Sequence, residues 1–218
     1  NGGPATMFGM VAGAAAADAA LINGGLMHSL EFDDTHTASI IHGSSVIAAA
    51  ALAAAEAGGA TGAALLGAYA RGWEVSARFG LAAPGRFHAQ GFQATSVAGT
   101  LAAALVAAEL TGLPEDQTVS ALGIALSQAS GVMEFLSNGS SVKSLHSGWA
   151  AHAPRGPRPQ VAPAGRRVQV LSVLPLPASI HRSRGHALGP RRARSRPTRS
   201  TRWRWQRKSW RRRPTSRH

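Results

Sequence analysis

The sequence predicts an all-α body over residues 1–153, followed by a basic tail over 154–218 that does not share its pattern. Apolar residues of the body recur at three- and four-residue spacings, and no run alternates as a half-buried β-strand does. Gly, Pro and short polar segments separate the helical stretches. Beyond residue 153 the helical periodicity stops, and nine of the twelve prolines lie there. We therefore expect one helical domain and one tail.

Three helices are predicted in the first half of the body, at residues 14–31, 44–56 and 61–79. Ser44 or Ser45 can cap the second helix and Thr61 the third, because a hydroxyl oxygen can accept a hydrogen bond from the free amides of the first turn. Two glycines at 58–59 end the second helix, and the Ala-Pro-Gly sequence at 83–85 ends the third.

Three more helices are predicted in the second half of the body, at residues 95–112, 113–128 and 143–152. Thr95 or Ser96 can begin the first of them. Glu115 and Asp116 follow a proline at the start of the second, where acidic side chains interact favourably with the helix dipole. Residues 85–93 and 131–141 are expected to be loops.

Charge divides the chain at the same point as the helical pattern. Four basic and ten acidic residues leave residues 1–153 with a net charge of −6, whereas the tail has 19 basic residues and no acidic one. A tail of this composition is expected to be disordered and to bind polyanions non-specifically. The chain has no Cys, which excludes disulfides and thiolate metal sites and fits a cytoplasmic enzyme. No apolar run is long enough to span a membrane.

Three polar clusters could carry chemistry. The first comprises residues 31–36 (Glu-Phe-Asp-Asp-Thr-His) with His42, and its spacing alone favours an acidic surface turn. A metal site is also open, although no His-x-x-x-His or Glu-x-x-His pair pre-arranges its ligands. The second, residues 86–95, precedes a helix N-terminus, where backbone amides can hold a carboxylate, and an ordinary helix-capping loop is equally open. In the third, Lys143 and His146 lie one turn apart on one helix face.

Taken together, these clusters resemble the MmgE/PrpD family, whose members include 2-methylcitrate dehydratase, cis-aconitate decarboxylase and an iminodisuccinate epimerase. The resemblance is carried by residues 20–43, 91–100 and 143–151, three motifs in the family's order that together cover nearly all of residues 5–153. It implies a helical first domain, a smaller α+β second domain, homodimers, no cofactor, no metal, and a site between the domains. The implied function is that of a metal-free lyase acting on a small di- or tricarboxylate, most like 2-methylcitrate dehydratase. Cis-aconitate decarboxylation and iminodisuccinate epimerisation stay open as alternatives.

The resemblance also implies the site residues of this chain. The catalytic pair is His42, which can transfer a proton near neutral pH, and Lys143, which can stabilise negative charge that develops beside a carboxylate. The expected substrate-binding residues are Glu31, Asp34, Thr35, Gln93 and His146. Glu31 stands where the family has Asp, and Gln93 stands where it has His. Since Gln cannot titrate, a proton-transfer role at position 93 is in doubt, and His88 is a candidate substitute.

The tail leaves three interpretations. Its abrupt start at Pro154, in the middle of a family motif, suggests a frameshift that replaces the second domain, and the Asn-Gly-Gly-Pro start suggests a cut N-terminal edge. An inactive fragment follows from the frameshift. The alternative from another class is a nucleic-acid-binding tail, because arginines alternate with tryptophans at residues 202–205.

Overall fold

A computed structural model describes residues 2–152 of the 218-residue chain, and its architecture there is wholly helical. Eight helices follow in order: α1 (Ala16–His28), α2 (Gly43–Gly58), α3 (Gly62–Leu81), α4 (Arg86–Ala89), α5 (Ala94–Leu110), α6 (Glu115–Ser127), α7 (Phe135–Asn138) and α8 (Val142–His152). Residues 2–152 contain no strand, only three isolated bridges. The all-α prediction is confirmed. The predictions for the tail (disorder, a frameshift, polyanion or nucleic-acid binding) lie outside the described residues.

The core is built around α2 and α5 from small side chains. Ten residues of α2 and eleven of α5 are buried, and most of them are alanines. Val46 of α2 packs against Gly99 of α5, and Ile47 with Val106 encloses Gly72 of α3. Because these side chains are short, the helices approach closely, and the core is filled by backbone and methyl contacts.

Two glycines set the crossing of α1 and α8. A Cβ atom on Gly148 would lie 2.1 Å from the carbonyl oxygen of Leu21, and one on Gly24 would lie 2.9 Å from the Cα atom of Gly148. Neither position has space for a side chain, so the two helices touch backbone to backbone. This contact brings Lys143, near the start of α8, towards the C-terminal end of α1.

Several helix boundaries differ from the sequence predictions. The first helix ends at His28 rather than at residue 31, because Glu31 has a φ of 54°, which a right-handed helix excludes. The prediction that Ser44 or Ser45 caps α2 is wrong: α2 begins at Gly43, its N-cap residue His42 makes no side-chain capping hydrogen bond, and Ser44 bonds the Asp34 carboxylate. Thr61 does cap α3, since its oxygen accepts from the Ala64 amide at 3.2 Å.

Two short helices, α4 and α7, occur in segments predicted to be loops. Each buries one aromatic ring, Phe87 in α4 and Phe135 in α7, which explains why a turn of helix forms without an extended periodic pattern. Backbone hydrogen bonds join the two segments, from the Gln93 amide to the Gly131 carbonyl and from Met133 back to Gly91, both at 2.8 Å. Gln93 is therefore held between the two loops. Among the described residues, no helix combines the length and apolarity that crossing a membrane requires.

Candidate functional site

A cavity of about 480 Å³ opens where the end of α1, the loop after it and the start of α8 meet the loops before α5 and α8. Its lining combines three histidines, one lysine, one glutamate, one glutamine and several hydroxyls. The lining residues are His28, Ser29, Glu31, Ile40, His42, His88, Gln93, Thr95, Met133, Phe135, Leu136, Ser140, Ser141, Lys143 and Ser144.

The three sequence clusters converge on this cavity. Four of the seven residues expected at the site line it, namely Glu31, His42, Gln93 and Lys143. The other three (Asp34, Thr35 and His146) do not line it, but each contacts a lining residue or the turn that carries one. Residues far apart in the chain thus line or adjoin one cavity.

Lys143 and Glu31 form an ion pair at the cavity edge. The Lys143 Nζ atom lies 2.6 Å from Oε2 of Glu31, and the lysine side chain is 21% exposed against 55% for the glutamate. The hydrogen bond from Lys143 lowers the pKa of Glu31, against a smaller opposing effect of burial. Glu31 also has the left-handed backbone conformation noted above, a strained state that proteins often maintain at functional sites.

His42 is held through its Nδ1 atom, which lies 3.0 Å from the Thr35 hydroxyl and 3.2 Å from the Asp34 carbonyl oxygen. A carbonyl can only accept, so Nδ1 carries the proton in that hydrogen bond, and Nε2 is left for proton transfer. Burial lowers the pKa of His42, the charge of Asp33 opposes this, and positive charge at His28 and Lys143 lowers it further. The ring therefore favours the neutral, proton-accepting form.

Gln93 and His146 form a buried pair behind the cavity wall. The His146 Nδ1 atom lies 2.8 Å from the Gln93 Oε1 atom, so this nitrogen donates and fixes the orientation of the amide. The Gln93 side chain is 3% exposed, and its Nε2 atom has no hydrogen-bond partner among the described residues. Burial lowers the pKa of His146, which favours its neutral form. The pair thus leaves an amide donor unsatisfied in the cavity wall.

Asp34 is engaged with the backbone rather than with the cavity. Its carboxylate accepts from the Ser44 amide at 3.0 Å and from the Ser44 hydroxyl at 2.6 Å. An acidic side chain that binds the free amides of a first helical turn acts as a cap. The contacts of Asp34 indicate a structural role at the start of α2, while substrate binding by this residue stays a prediction.

Three residues near the cavity were not assigned as site residues from the sequence. His28 and Asp33 form a pair in which Nδ1 lies 2.8 Å from the nearer carboxylate oxygen. His88, noted from the sequence only as a substitute for a missing histidine, lines the cavity, and burial lowers its pKa. His28 and Asp33 belong to the first motif, but nothing in their five-residue spacing shows that one buries against the other.

Three side chains in the described part of the chain lie close enough together to share a metal ion, although no ion is bound. His28, Asp33 and His42 each offer a ligand atom, and these atoms lie within 4.8 Å of one another. These residues come from the end of α1, the loop after it and the residue before α2, so their spacing does not resemble a ligand pair within one helix. Imidazole and carboxylate together suit a divalent ion such as Zn²⁺.

Comparisons with known proteins find a family model and relatives that match the helical region. The family model of the MmgE/PrpD N-terminal domain matches residues 1–154. A cis-aconitate decarboxylase-like protein of Aspergillus oryzae is 37% identical over 123 residues, which cover 53% of this chain and 26% of that protein. A cis-aconitate decarboxylase of Aspergillus terreus is 34% identical over 139 residues, 61% of this chain and 28% of that protein. The matched region thus spans little more than a quarter of either relative.

Proposed function

The chain belongs to the MmgE/PrpD family, and from that premise we propose that its cavity is part of a metal-free lyase site for a small di- or tricarboxylate. Decarboxylation of a cis-aconitate-like acid is the reaction that we favour. Dehydration of 2-methylcitrate, the assignment that the sequence motifs favoured, is the second candidate. A homodimer and a cytoplasmic location belong to the same proposal, since both rest on the family resemblance.

The observation that carries the proposal is the pair of donors that Lys143 and Gln93 bring to one cavity. Lys143 supplies a positive charge there, and Gln93 supplies a buried amide that lacks a hydrogen-bond partner within residues 2–152. A carboxylate can accept from both, and charge-assisted hydrogen bonds are among the stronger polar contacts. The Glu31 carboxylate already pairs with Lys143, with Oε2 at 2.6 Å from Nζ. A substrate carboxylate would therefore compete with Glu31 for that nitrogen.

The chemistry follows from where charge develops. When the carbon–carbon bond to a carboxylate breaks, CO₂ leaves, the electron pair delocalises towards the remaining carboxylates, and a proton then joins the carbon. When water is eliminated instead, a proton leaves the carbon beside a carboxylate and hydroxide departs with a second proton. Either path builds negative charge beside a carboxylate, which a preorganised cation such as Lys143 stabilises. His42, with Nε2 available, is the group that we propose to move a proton.

Two observations favour decarboxylation over dehydration. Both relatives described above carry cis-aconitate decarboxylase in their names, at 37% and 34% identity. Gln93 replaces the histidine that the family commonly has, so a mechanism that needs a titrating group at that position is unsupported here. The amide of Gln93 can still orient a carboxylate.

Ligand binding and product analysis test the proposal. The 218-residue chain is titrated with tricarballylate, a saturated tricarboxylate, and with its neutral triamide as the matched control, and the backbone amide signals of residues 2–152 are followed by NMR. We expect shifts at Lys143, Gln93 and Glu31 with the acid and none with the amide. A dissociation constant above about 10 mM, which corresponds to less than about 2.7 kcal/mol of binding free energy, would contradict a carboxylate site.

The reaction itself is tested in a chimaera. Residues 2–152 replace the matched segment of the Aspergillus terreus relative, since that relative supplies the length that this chain does not match. The chimaera is incubated with ¹³C-labelled cis-aconitate and, separately, with 2-methylcitrate. Release of labelled CO₂ from the first supports decarboxylation, and formation of the unsaturated acid from the second alone supports dehydration. If a folded chimaera forms neither product, the lyase proposal is overturned.

A further inference from the structure

Two aromatic residues of α3, Tyr69 and Trp73, contact the start of α2 from outside the cavity. They lie four residues apart and so share one face of their helix. Neither belongs to the three motifs, and neither lines the cavity. The indole ring of Trp73 packs directly on Gly43, because a Cβ atom added to Gly43 would lie 2.4 Å from Cζ2 of that ring. Since Gly43 follows His42 in the chain, α3 supports the backbone that carries this histidine.

The polar atoms of the two aromatic side chains lead to Asp34 through one hydroxyl group. The Tyr69 Oη atom lies 2.6 Å from Oγ of Ser44, and the same Oγ atom lies 2.6 Å from Oδ2 of Asp34. The indole Nε1 atom of Trp73 lies 3.1 Å from the Tyr69 oxygen and 3.3 Å from the Ser44 oxygen. The four side chains thus form one continuous hydrogen-bonded chain.

Only one direction of donation satisfies this hydrogen-bonded chain. A carboxylate only accepts, so the Ser44 hydroxyl donates its single hydrogen to Asp34. The Ser44 oxygen can then only accept, and the Tyr69 hydroxyl is the donor in the contact between them. The indole N–H can only donate, so it supplies the Tyr69 oxygen. Both hydroxyls are therefore committed, which restricts the position of the Asp34 carboxylate.

The backbone of Asp34 holds the ring of His42. The Asp34 carbonyl oxygen lies 3.2 Å from Nδ1 of His42, and the Thr35 hydroxyl lies 3.0 Å from the same nitrogen. The carboxylate and this carbonyl belong to one residue, so contacts that restrict the carboxylate also restrict the acceptor of the Nδ1 proton. The backbone amide of His42 is fixed separately, by a hydrogen bond to Thr95 Oγ1 at 3.0 Å. The orientation of the ring therefore depends on α3 as well as on its own loop.

We propose that Tyr69 is a positioning residue of the site, which acts on His42 through the hydrogen-bonded chain. The inference rests on the proposed lyase function, in which the Nε2 atom of His42 moves a proton. Tyr69 keeps the proton of the neutral ring on Nδ1, so that Nε2 stays available on the cavity side. It transfers no proton itself and does not touch the substrate.

Histidine ring NMR of the 218-residue chain tests the inference, with ¹⁵N-labelled histidine at about pH 8.5, where imidazole rings are neutral. In the wild type we expect the His42 proton on Nδ1. Tyr69→Phe keeps the aromatic ring and removes only the hydroxyl. The preference for Nδ1 over Nε2 should then fall about threefold or more, as expected for the loss of one hydrogen bond. Ser44→Ala should lower it further, whereas Ser44→Thr, which keeps a hydroxyl, should retain the wild-type preference.

Ser76→Ala is the matched control for Tyr69→Phe. Ser76 lies on the same helix, is fully buried, and has a hydroxyl without a hydrogen-bond partner among residues 2–152. Loss of this hydroxyl should leave the ring signals of His42 unchanged. A change of equal size in Ser76→Ala and Tyr69→Phe would mean that any altered packing of α3 disturbs the ring, which overturns the inference.

The kinetic readout comes from an active chimaera of the kind described above. Tyr69→Phe should lower kcat about tenfold, because a slightly misplaced proton-transfer group slows the reaction. KM should change by less than about twofold, since Tyr69 does not line the cavity. A merely structural role of Tyr69 would lower the stability of the chimaera and leave kcat unchanged.

The outcomes separate this inference from the lyase proposal. If His42 holds its Nδ1 proton equally in the wild type, Tyr69→Phe and Ser44→Ala, the inference is overturned and the lyase proposal stands. The inference is also overturned if the ring signals change while Tyr69→Phe keeps the wild-type kcat. If the folded wild-type chimaera forms no product, the lyase proposal is overturned, and the ring signals alone decide whether Tyr69 positions His42. Circular dichroism identifies any unfolded variant, and Trp73→Phe, which removes the indole donor, decides if Tyr69→Phe is unfolded.

Discussion

Lys143 Nζ lies 2.6 Å from the Glu31 carboxylate, so the cavity's lysine is already paired with an acidic residue of the protein. Glu31 comes from the turn after α1 and Lys143 from the first turn of α8, and the close backbone crossing of these helices brings them together. A substrate carboxylate must therefore displace Glu31 or share the lysine with it. Lys143 should therefore favour anion binding, and Glu31 should oppose it.

Replacing Lys143 and Glu31 separately should change anion affinity in opposite directions. Lys143→Met keeps the length of the side chain but removes the charge, so tricarballylate binding should weaken at least about tenfold. In an active chimaera the rate should fall about a hundredfold or more, because a preorganised cation is lost. Glu31→Gln should strengthen binding, since the competing carboxylate is gone. Titration calorimetry measures both affinities.

Arg78→Met is the matched control for this pair. Arg78 forms an exposed ion pair with Glu74 within α3 and does not line the cavity, so its loss should leave the affinity unchanged. Equal binding by Lys143→Met and the wild type would remove Lys143 from the site. Weaker binding by Glu31→Gln would instead support the sequence prediction that Glu31 contacts the substrate.

Apolar spacing, a local property of the chain, predicted the helical class, and the family resemblance implied that residues of the three motifs share one site. The sequence did not predict which motif residues face the cavity. Asp33 and Asp34 are neighbours of the same type, yet one pairs with buried His28 and the other binds Ser44. The segment that carries both aspartates lies between two residues with positive φ, Glu31 and Ile40, which no propensity rule anticipates for a Glu or an Ile.

Asp34→Ala should mainly lower the stability of the helical domain, with a smaller effect on its affinity for tricarballylate. The carboxylate binds both the amide and the hydroxyl of Ser44 in the first turn of α2, and the loss of such a cap typically costs about 1 kcal/mol. Urea denaturation measures the stability, and tricarballylate titration of the folded variant measures the affinity. Asp34→Asn, which keeps one oxygen acceptor, should lose less stability. Unchanged stability with weakened binding would favour the original substrate-binding prediction over a capping role.

Acidification should destabilise the domain between neutral pH and the folded pKa values of three histidines. Burial lowers the pKa of His42, His88 and His146 below the ordinary 6.5, so between those lowered values and 6.5 the unfolded chain binds more protons than the folded one. Stability therefore rises with pH in that window, is complete above it and is lost as the pH falls through the folded pKa values.

The measurement for this pH dependence is the urea midpoint at about pH 7.5 and about pH 5.5. We expect a lower midpoint at the acidic pH, and His88→Gln should reduce the difference because one of the three groups no longer titrates. The lowered pKa of Glu31 acts in a separate window, below its ordinary 4.5, and does not interfere. A midpoint that is equal at both pH values would contradict the burial of neutral histidines.

Gly148→Ala should destabilise the domain and disturb the site at the same time. The added Cβ would lie 2.1 Å from the Leu21 carbonyl oxygen and 3.0 Å from the Gly25 amide nitrogen, both of them backbone atoms that cannot rotate away. The helices must separate, and overpacking of this kind typically costs about 1–3 kcal/mol. Since α1 ends at His28 and α8 carries Lys143, the same separation should weaken tricarballylate binding.

Gly62→Ala is the matched control for the helix crossing. Gly62 is the first residue of α3, is exposed, and has nothing within 4 Å of an added Cβ atom. An alanine there should be neutral or should stabilise the helix by up to about 1 kcal/mol, because glycine has the larger conformational entropy in the unfolded chain. Thermal and urea unfolding measure the stability of both variants. If Gly148→Ala is as stable as Gly62→Ala and binds tricarballylate like the wild type, the close crossing of α1 and α8 does not set the geometry of the site.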